Sequence, residues 1–256
     1  MDIDYFLCNP TGNITALVET AVETANQPEV ANAIMKAEPT CEQVGFILPS
    51  QEGSDITLRM AGGEFCGNAT MSIAAHYCRK IGLQEGESKN VAVKVIGTKN
   101  LVNVLVENKG GIHYGTIEMP KPRKISSVKF VFEGYNYWYP VVEFETISHI
   151  IIEDDIPVYM PERCIKMWCD TLKAPGLGMM ILGKNKDSLR PLVYVKHPES
   201  LVWESSCASG TTAVGAYYAD KLNEPIAMCL KEPGGSLNVE VNSDKFIKLR
   251  GKVEFF

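Results

Sequence analysis

The sequence has no basic stretch followed by a long apolar run at its start, and no apolar run approaches the roughly 20 residues a membrane span needs. That excludes a helical membrane protein and makes a cytoplasmic location the expectation. Basic charge is also short. Lys and Arg number 25 against 31 Asp and Glu, for a formal net charge of −6, and no block of basic residues offsets it, so nucleic acid is not an expected partner, and the missing apolar run leaves no membrane partner either. No Cys-x-x-Cys pair occurs, Cys164 and Cys169 have no nearby histidine, and His76, His113, His149 and His197 are scattered without ligand spacing. A metal centre and a dithiol redox centre both lack their signatures. The eight cysteines are therefore expected as free thiols. Cys8, Cys41, Cys78, Cys164, Cys169 and Cys229 sit mostly beside apolar residues, where a cysteine is usually a small buried hydrophobe.

Two cysteines remain, and they open copies of one device. Cys66-Gly67-Asn68-Ala69-Thr70 and Cys207-Ala208-Ser209-Gly210-Thr211 each begin a run of small and apolar residues, with Ala75 against Ala216 and Tyr77 against Tyr218 at the same offset. The match runs for about three helical turns and implies two related half-molecules. With 256 residues, 45% hydrophobic and 22% charged, the chain can bury a sizeable core as one large domain or two ordinary ones. Pro120-Lys121-Pro122 is a natural boundary, giving halves at 1–120 and 121–251.

The first half reads as strand-rich. Strands are predicted near 5–7, 14–18, 44–48, 56–60, 91–96, 101–106 and 114–119, with helices at 29–37 and about 67–80. In the second half, strands are predicted near 137–144, 179–182, 192–195 and 201–203, then a helix over about 209–221. Pro233-Gly234-Gly235 then opens another strand pair. The overall class is mixed, α/β (α+β). A cysteine just before a helix meets unpaired amides and partial positive charge, which favours an anion and lowers a thiol's pKa. The small residues that follow let a carboxylate approach the amides of Gly67, Asn68, Ala208 and Ser209. Alternatively, Asn68 and Ser209 are simply helix caps.

Glu64-Phe65-Cys66-Gly67-Asn68-Ala69 and the stretch from Trp203 to Thr211 resemble the two cysteine motifs of the cofactor-independent diaminopimelate epimerase superfamily. Asn13 in Pro-Thr-Gly-Asn resembles its N-terminal substrate-binding asparagine. The segments 41–47, 64–72, 178–180 and 233–236 look closest to the histidine racemases, including the staphylopine-pathway type. The resemblance covers nearly the whole chain. It implies two pseudo-symmetric halves, each a β-barrel-like sheet around a central helix, with the active site in the cleft between them and the C-terminal strand 252–256 returning to the first half. It also implies no cofactor. Cys66 and Cys207 would be the catalytic acid and base, exchanging roles with substrate handedness, while the two helix starts clamp the α-carboxylate and stabilise developing charge.

Departures from the epimerase pattern bear on the substrate. The arginine that grips a distal carboxylate is missing before Cys207, and Met179 stands where the epimerases carry another asparagine. A second carboxylate would lack its bidentate partner. A cationic or neutral side chain fits better, and Glu42 could accept a hydrogen bond from an imidazole. As a solvated loop residue Glu42 would do nothing of the kind. Glu64 and Glu204 read as local hydrogen-bond or ammonium partners near the cysteines, and the resemblance assigns Asn13 and Gln43 to substrate positioning. The expected partner is an amino acid, histidine favoured; a homodimer is left open. Diaminopimelate epimerisation, racemisation of another amino acid, thiol-disulfide exchange and non-catalytic amino-acid binding are the alternatives.

Overall fold

The computed structural model describes residues 3–51, 53–197 and 199–256. Its chain divides into two units, Met1–Glu118 with Arg250–Phe256, and Met119–Leu249. In the first unit, strands β1 (Tyr5–Pro10), β2 (Thr15–Val18), β3 (Gln43–Leu48), β4 (Ile56–Met60), β5 (Ser88–Val95), β6 (Val102–Lys109) and β7 (Ile112–Met119) lie in sequence order. Pairs β2/β3 and β4/β5 are parallel, so each needs a crossover. Helices α1 (Gln27–Ala37) and α2 (Gly67–Lys80) supply them.

The two helices bury different amounts of surface. Pro28 stands in the first turn of α1, where a missing N–H costs nothing. This helix turns Ala31 and Ile34 onto Ala16, Val18, Val44 and Phe46. Helix α2 is buried nearly all round, from Gly67 to His76 and again at Cys78, as a helix enclosed by its own unit must be. It packs on β1, β2, β4, β5 and β6. Strands β5 and β6 present Val91, Val93, Val95, Val104 and Val106 with the period of two that a half-buried strand requires.

In the second unit a six-stranded sheet is built from β8 (Lys124–Phe132), β9 (Tyr135–Glu143), β10 (Ser148–Ile152), β11 (Gly176–Leu182), β12 (Leu189–Val195) and β13 (Ser200–Trp203). Helix α3 (Met160–Leu172) connects the parallel strands β10 and β11. Its buried stripe of Met160, Cys164, Ile165, Trp168 and Cys169 meets β8, β11 and β12, and the Trp168 ring stacks on Phe130 at 4.7 Å. Helix α4 (Ala208–Leu222) follows, then the hairpin β14 (Ile226–Glu232) and β15 (Gly235–Val241), and finally β16 (Ile247–Phe255). Strand β16 neighbours β7 and pairs antiparallel with β1, setting Cys8 opposite Phe255.

Several elements differ from the sequence expectation. Helix α3 and strands β8 and β10 were not predicted. Pro157 and Pro161 punctuate the approach to α3 as a loop would, yet a proline in the first helical turn is a start signal. Cys229 is exposed rather than buried, because β14 alternates and its inward residue there is Leu230. The other five cysteines of that group are buried. Among the described residues no helix is long and apolar enough to cross a membrane.

Candidate active site

Each central helix is capped by its own cysteine. Cys66 (φ −125°, ψ 116°) and Cys207 (φ −125°, ψ 99°) are both in extended backbone at the N-cap. The Sγ of Cys66 accepts from Ala69 N at 3.4 Å and that of Cys207 from Gly210 N at 3.3 Å. Sulfur thus takes the place that a serine or aspartate oxygen usually holds. The alternative in which Asn68 and Ser209 cap these helices is overturned, since both lie inside the first turn. Gly67 and Asn68, like Ala208 and Ser209, occupy the first two helical positions, whose amides have no acceptor within the helix.

In the first unit the sequence-assigned positioning residues form one hydrogen-bonded chain. Cys66 Sγ donates to Gln43 Oε1 at 3.1 Å. Gln43 Nε2 in turn donates to Asn13 Oδ1 and, at 2.7 Å, to Thr15 Oγ1. Asn13 Nδ2 then donates to Glu42 Oε2. Parallel pairing puts Gln43 opposite Thr15, which is why residues so far apart in sequence meet. Asn13 is buried and Glu42 half-buried. Glu42 is therefore no loose loop carboxylate. Glu64 is exposed, and its carboxylate folds back on Gly62.

Cys207 stands in a different environment. It is buried, and burial pushes its thiol well above the ordinary value, with the charges of Glu204 and Glu232 adding to the effect. The expectation of a thiol acidified by the helix end is thus outweighed here. Desolvation and two carboxylates exceed what one amide and a hydroxyl return. Glu232 at the end of β14 accepts from Cys207 N at 2.6 Å and from Thr211 Oγ1, fastening the first turn of α4. Burial nonetheless holds this carboxyl up at about 8. Ser209 Oγ lies 3.6 Å from Cys207 Sγ and 3.1 Å from Nε2 of the fully buried His149.

Sequence reasoning missed Glu232 and His149. The first immediately precedes the family-like Pro233-Gly234-Gly235 but lies outside that motif, and the second stands in a strand that was itself not predicted. Met179 and Met180 line β11 as buried apolar groups. An arginine does occur near the second cysteine loop, but Arg190 lies over the Trp203 indole at 4.9 Å, exposed beside a cavity of about 180 Å³ lined by Trp203, Glu204 and Ser205. Among the described residues no group of three or more His, Cys, Asp or Glu is placed to hold a metal ion.

The chain resembles known proteins in fold and, separately, in sequence. A probable proline racemase from Agrobacterium radiobacter K84 superposes with a TM-score of 0.74 at 10% identity, covering 100% of this chain and 91% of its own, a likeness of fold. A histidine racemase of Staphylococcus aureus strain Mu50 is 31% identical over 249 residues, 93% of this chain and 88% of the relative. One from Fusobacterium nucleatum is 31% identical over 258 residues, 98% and 94% of the two chains. The model described as the histidine racemase CntK N-terminal domain matches residues 2–255, and the chain belongs to that family.

Proposed function

We propose that this chain interconverts L- and D-histidine without a cofactor, using Cys66 and Cys207 as the acid and base that exchange roles. The paired N-cap cysteines carry this reading, because two unrelated helix starts would have no reason to share one sulfur-to-amide geometry. Racemisation removes the α-proton from one face of the amino acid and delivers a proton to the other, which calls for two groups of matched chemistry. Each unit supplies one of them. The half of the fold around each cysteine is read as epimerase-like, with its strands wrapped about α2 or α4, both of which are buried along most of their length.

The amides of Gly67, Asn68, Ala208 and Ser209 receive the α-carboxylate and the charge that develops as the α-proton leaves. Glu204 pairs with the substrate ammonium. That contact offsets the carboxylate charge that otherwise holds the Cys207 thiol up. In the first unit, the Cys66–Gln43–Asn13–Glu42 chain fixes the Cys66 proton, and Glu42 accepts from the imidazole ring. Incubation in deuterium oxide with L-histidine, without pyridoxal phosphate or metal, should give D-histidine carrying deuterium at Cα. Absence of both exchange and optical inversion would overturn the reading.

A further inference from the structure

We propose that His149 is a positioning residue, donating from Nε2 to Ser209 Oγ and thereby committing the Ser209 hydroxyl to donate to the Cys207 sulfur. The inference rests on the two-thiol reading and deepens it. Its starting point is the ring's unequal surroundings. His149 is fully buried, and Nδ1 has no hydrogen-bond partner, whereas Nε2 lies 3.1 Å from Ser209 Oγ. Parallel pairing of β10 with β11 sets His149 opposite Gly178, and a Cβ at Gly178 would come within 2.2 Å of Nδ1. The imidazole thus lies close against the Gly178 backbone, and Nδ1 finds no acceptor there.

Those contacts choose the tautomer. A proton on Nδ1 would be a buried donor without an acceptor, costing its full desolvation, while a proton on Nε2 meets the serine oxygen. Burial also drives the imidazole down to about 3, so the ring is neutral and carries that single proton. A serine oxygen that accepts from imidazole keeps its own hydrogen for another acceptor. Cys207 Sγ at 3.6 Å is that acceptor. The hydroxyl then favours the thiolate over the thiol, against the opposing push of burial, Glu204 and Glu232. Of the other titratable groups on α4 and its neighbours, Glu153, Tyr217, Tyr218 and Lys221 engage one another at the far end of the helix, and Asp220, Glu143, Lys231 and Glu240 also lie on α4 and the strands packed against it.

The first copy of the motif is built from other residues. Position 209 aligns with Asn68, and Cys66 is served by Gln43 from β3 instead. The two thiols are therefore tuned by different partners on different elements.

The test measures the pH dependence of Cys207 alkylation by iodoacetamide, resolved by peptide mass spectrometry on the full-length protein. Ser209→Ala and His149→Leu should each move the Cys207 ionisation to higher pH, slowing alkylation about tenfold near pH 8. The double variant should slow it no further, as residues acting in series require. His149→Gln, which can still donate to Ser209, should restore the profile. A His149→Leu profile that superimposes on the parent, or a double variant showing the product of the single effects, would overturn the proposal. Should the leucine variant fail to fold, the 15N spectrum of the unaltered protein decides: a proton on Nε2 supports the assignment and one on Nδ1 ends it. Alkylation reads the thiol whether or not histidine turns over, so failure of the racemase reading would show separately, in the exchange assay.

Discussion

At the scale of single residues, the two thiols differ in what surrounds them although their backbone geometry agrees. Cys66 is half-buried and donates to a neutral amide, whereas Cys207 is buried beside two carboxylates. Cys66→Ser and Cys207→Ser are each expected to abolish α-proton exchange while leaving the thermal melt near that of the parent. Serine fills nearly the same space and can keep the N-cap bond, but it is far less acidic. Near-parental turnover in either variant would remove that cysteine from the mechanism. Charge near Cys207 gives a prediction with a definite sign. Glu204 disfavours the thiolate, so Glu204→Gln should shift Cys207 ionisation to lower pH, seen as faster iodoacetamide capture at neutral pH. The same substitution should raise the KM for histidine, because the ammonium loses its partner. Capture that slows in this variant would contradict the electrostatic account.

At the scale of elements, α2 and α4 were legible in the sequence because each combines a small-residue start with helical spacing of buried groups. Helix α3 was not, although Cys164, Ile165, Trp168 and Cys169 fall at helical spacing from Met160; Pro157 and Pro161 together resemble a loop until the place of Pro161 in the first turn is known. Strand β10 was equally illegible. Its apolar run is short, and only its pairing with β11 shows that it brings His149 under α4. Elements also explain the repeated tyrosines: Tyr77 donates to Asp55 and Tyr218 to Glu153, so each central helix is tied by its third turn to a carboxylate in its own unit. In the second unit Glu153 also takes Tyr217 and the cations of Lys186 and Lys221. Although burial opposes it, those donors and charges hold the carboxyl down at about 2. A carboxyl lowered on folding contributes stability that is fully present above its unfolded value near 4.5 and is lost as pH falls through about 2. Glu153→Gln should therefore lower stability by about 2 kcal/mol at pH 7, the range for hydrogen bonds to charged groups. Variant and parent should converge near pH 2. Melts that differ equally at both pH values would exclude the ionic contribution.

For the whole molecule, the repeated cysteine device was readable because it is local: a cap, three small residues and one helical face stand together in sequence. The groups proposed to select the substrate were harder to read, since Asn13, Glu42 and Gln43 become one unit only through the parallel pairing of β2 and β3. Specificity should then depend on a carboxylate in the first unit rather than on an arginine in the second. In the second unit Arg190 lies over Trp203. Wild-type protein should turn over histidine far better than diaminopimelate, whose distal carboxylate would lie near Glu42 rather than a guanidinium. Glu42→Ala should reduce histidine kcat/KM by the equivalent of about 1.5 to 3 kcal/mol if the carboxylate bonds a protonated ring. The loss should fade as pH rises above roughly 6.5 and the free imidazole becomes neutral. An unchanged kcat/KM in this variant would remove Glu42 from substrate recognition. Preferred turnover of diaminopimelate by the wild type would instead overturn the histidine assignment, leaving the exchange of a proton between two thiols intact.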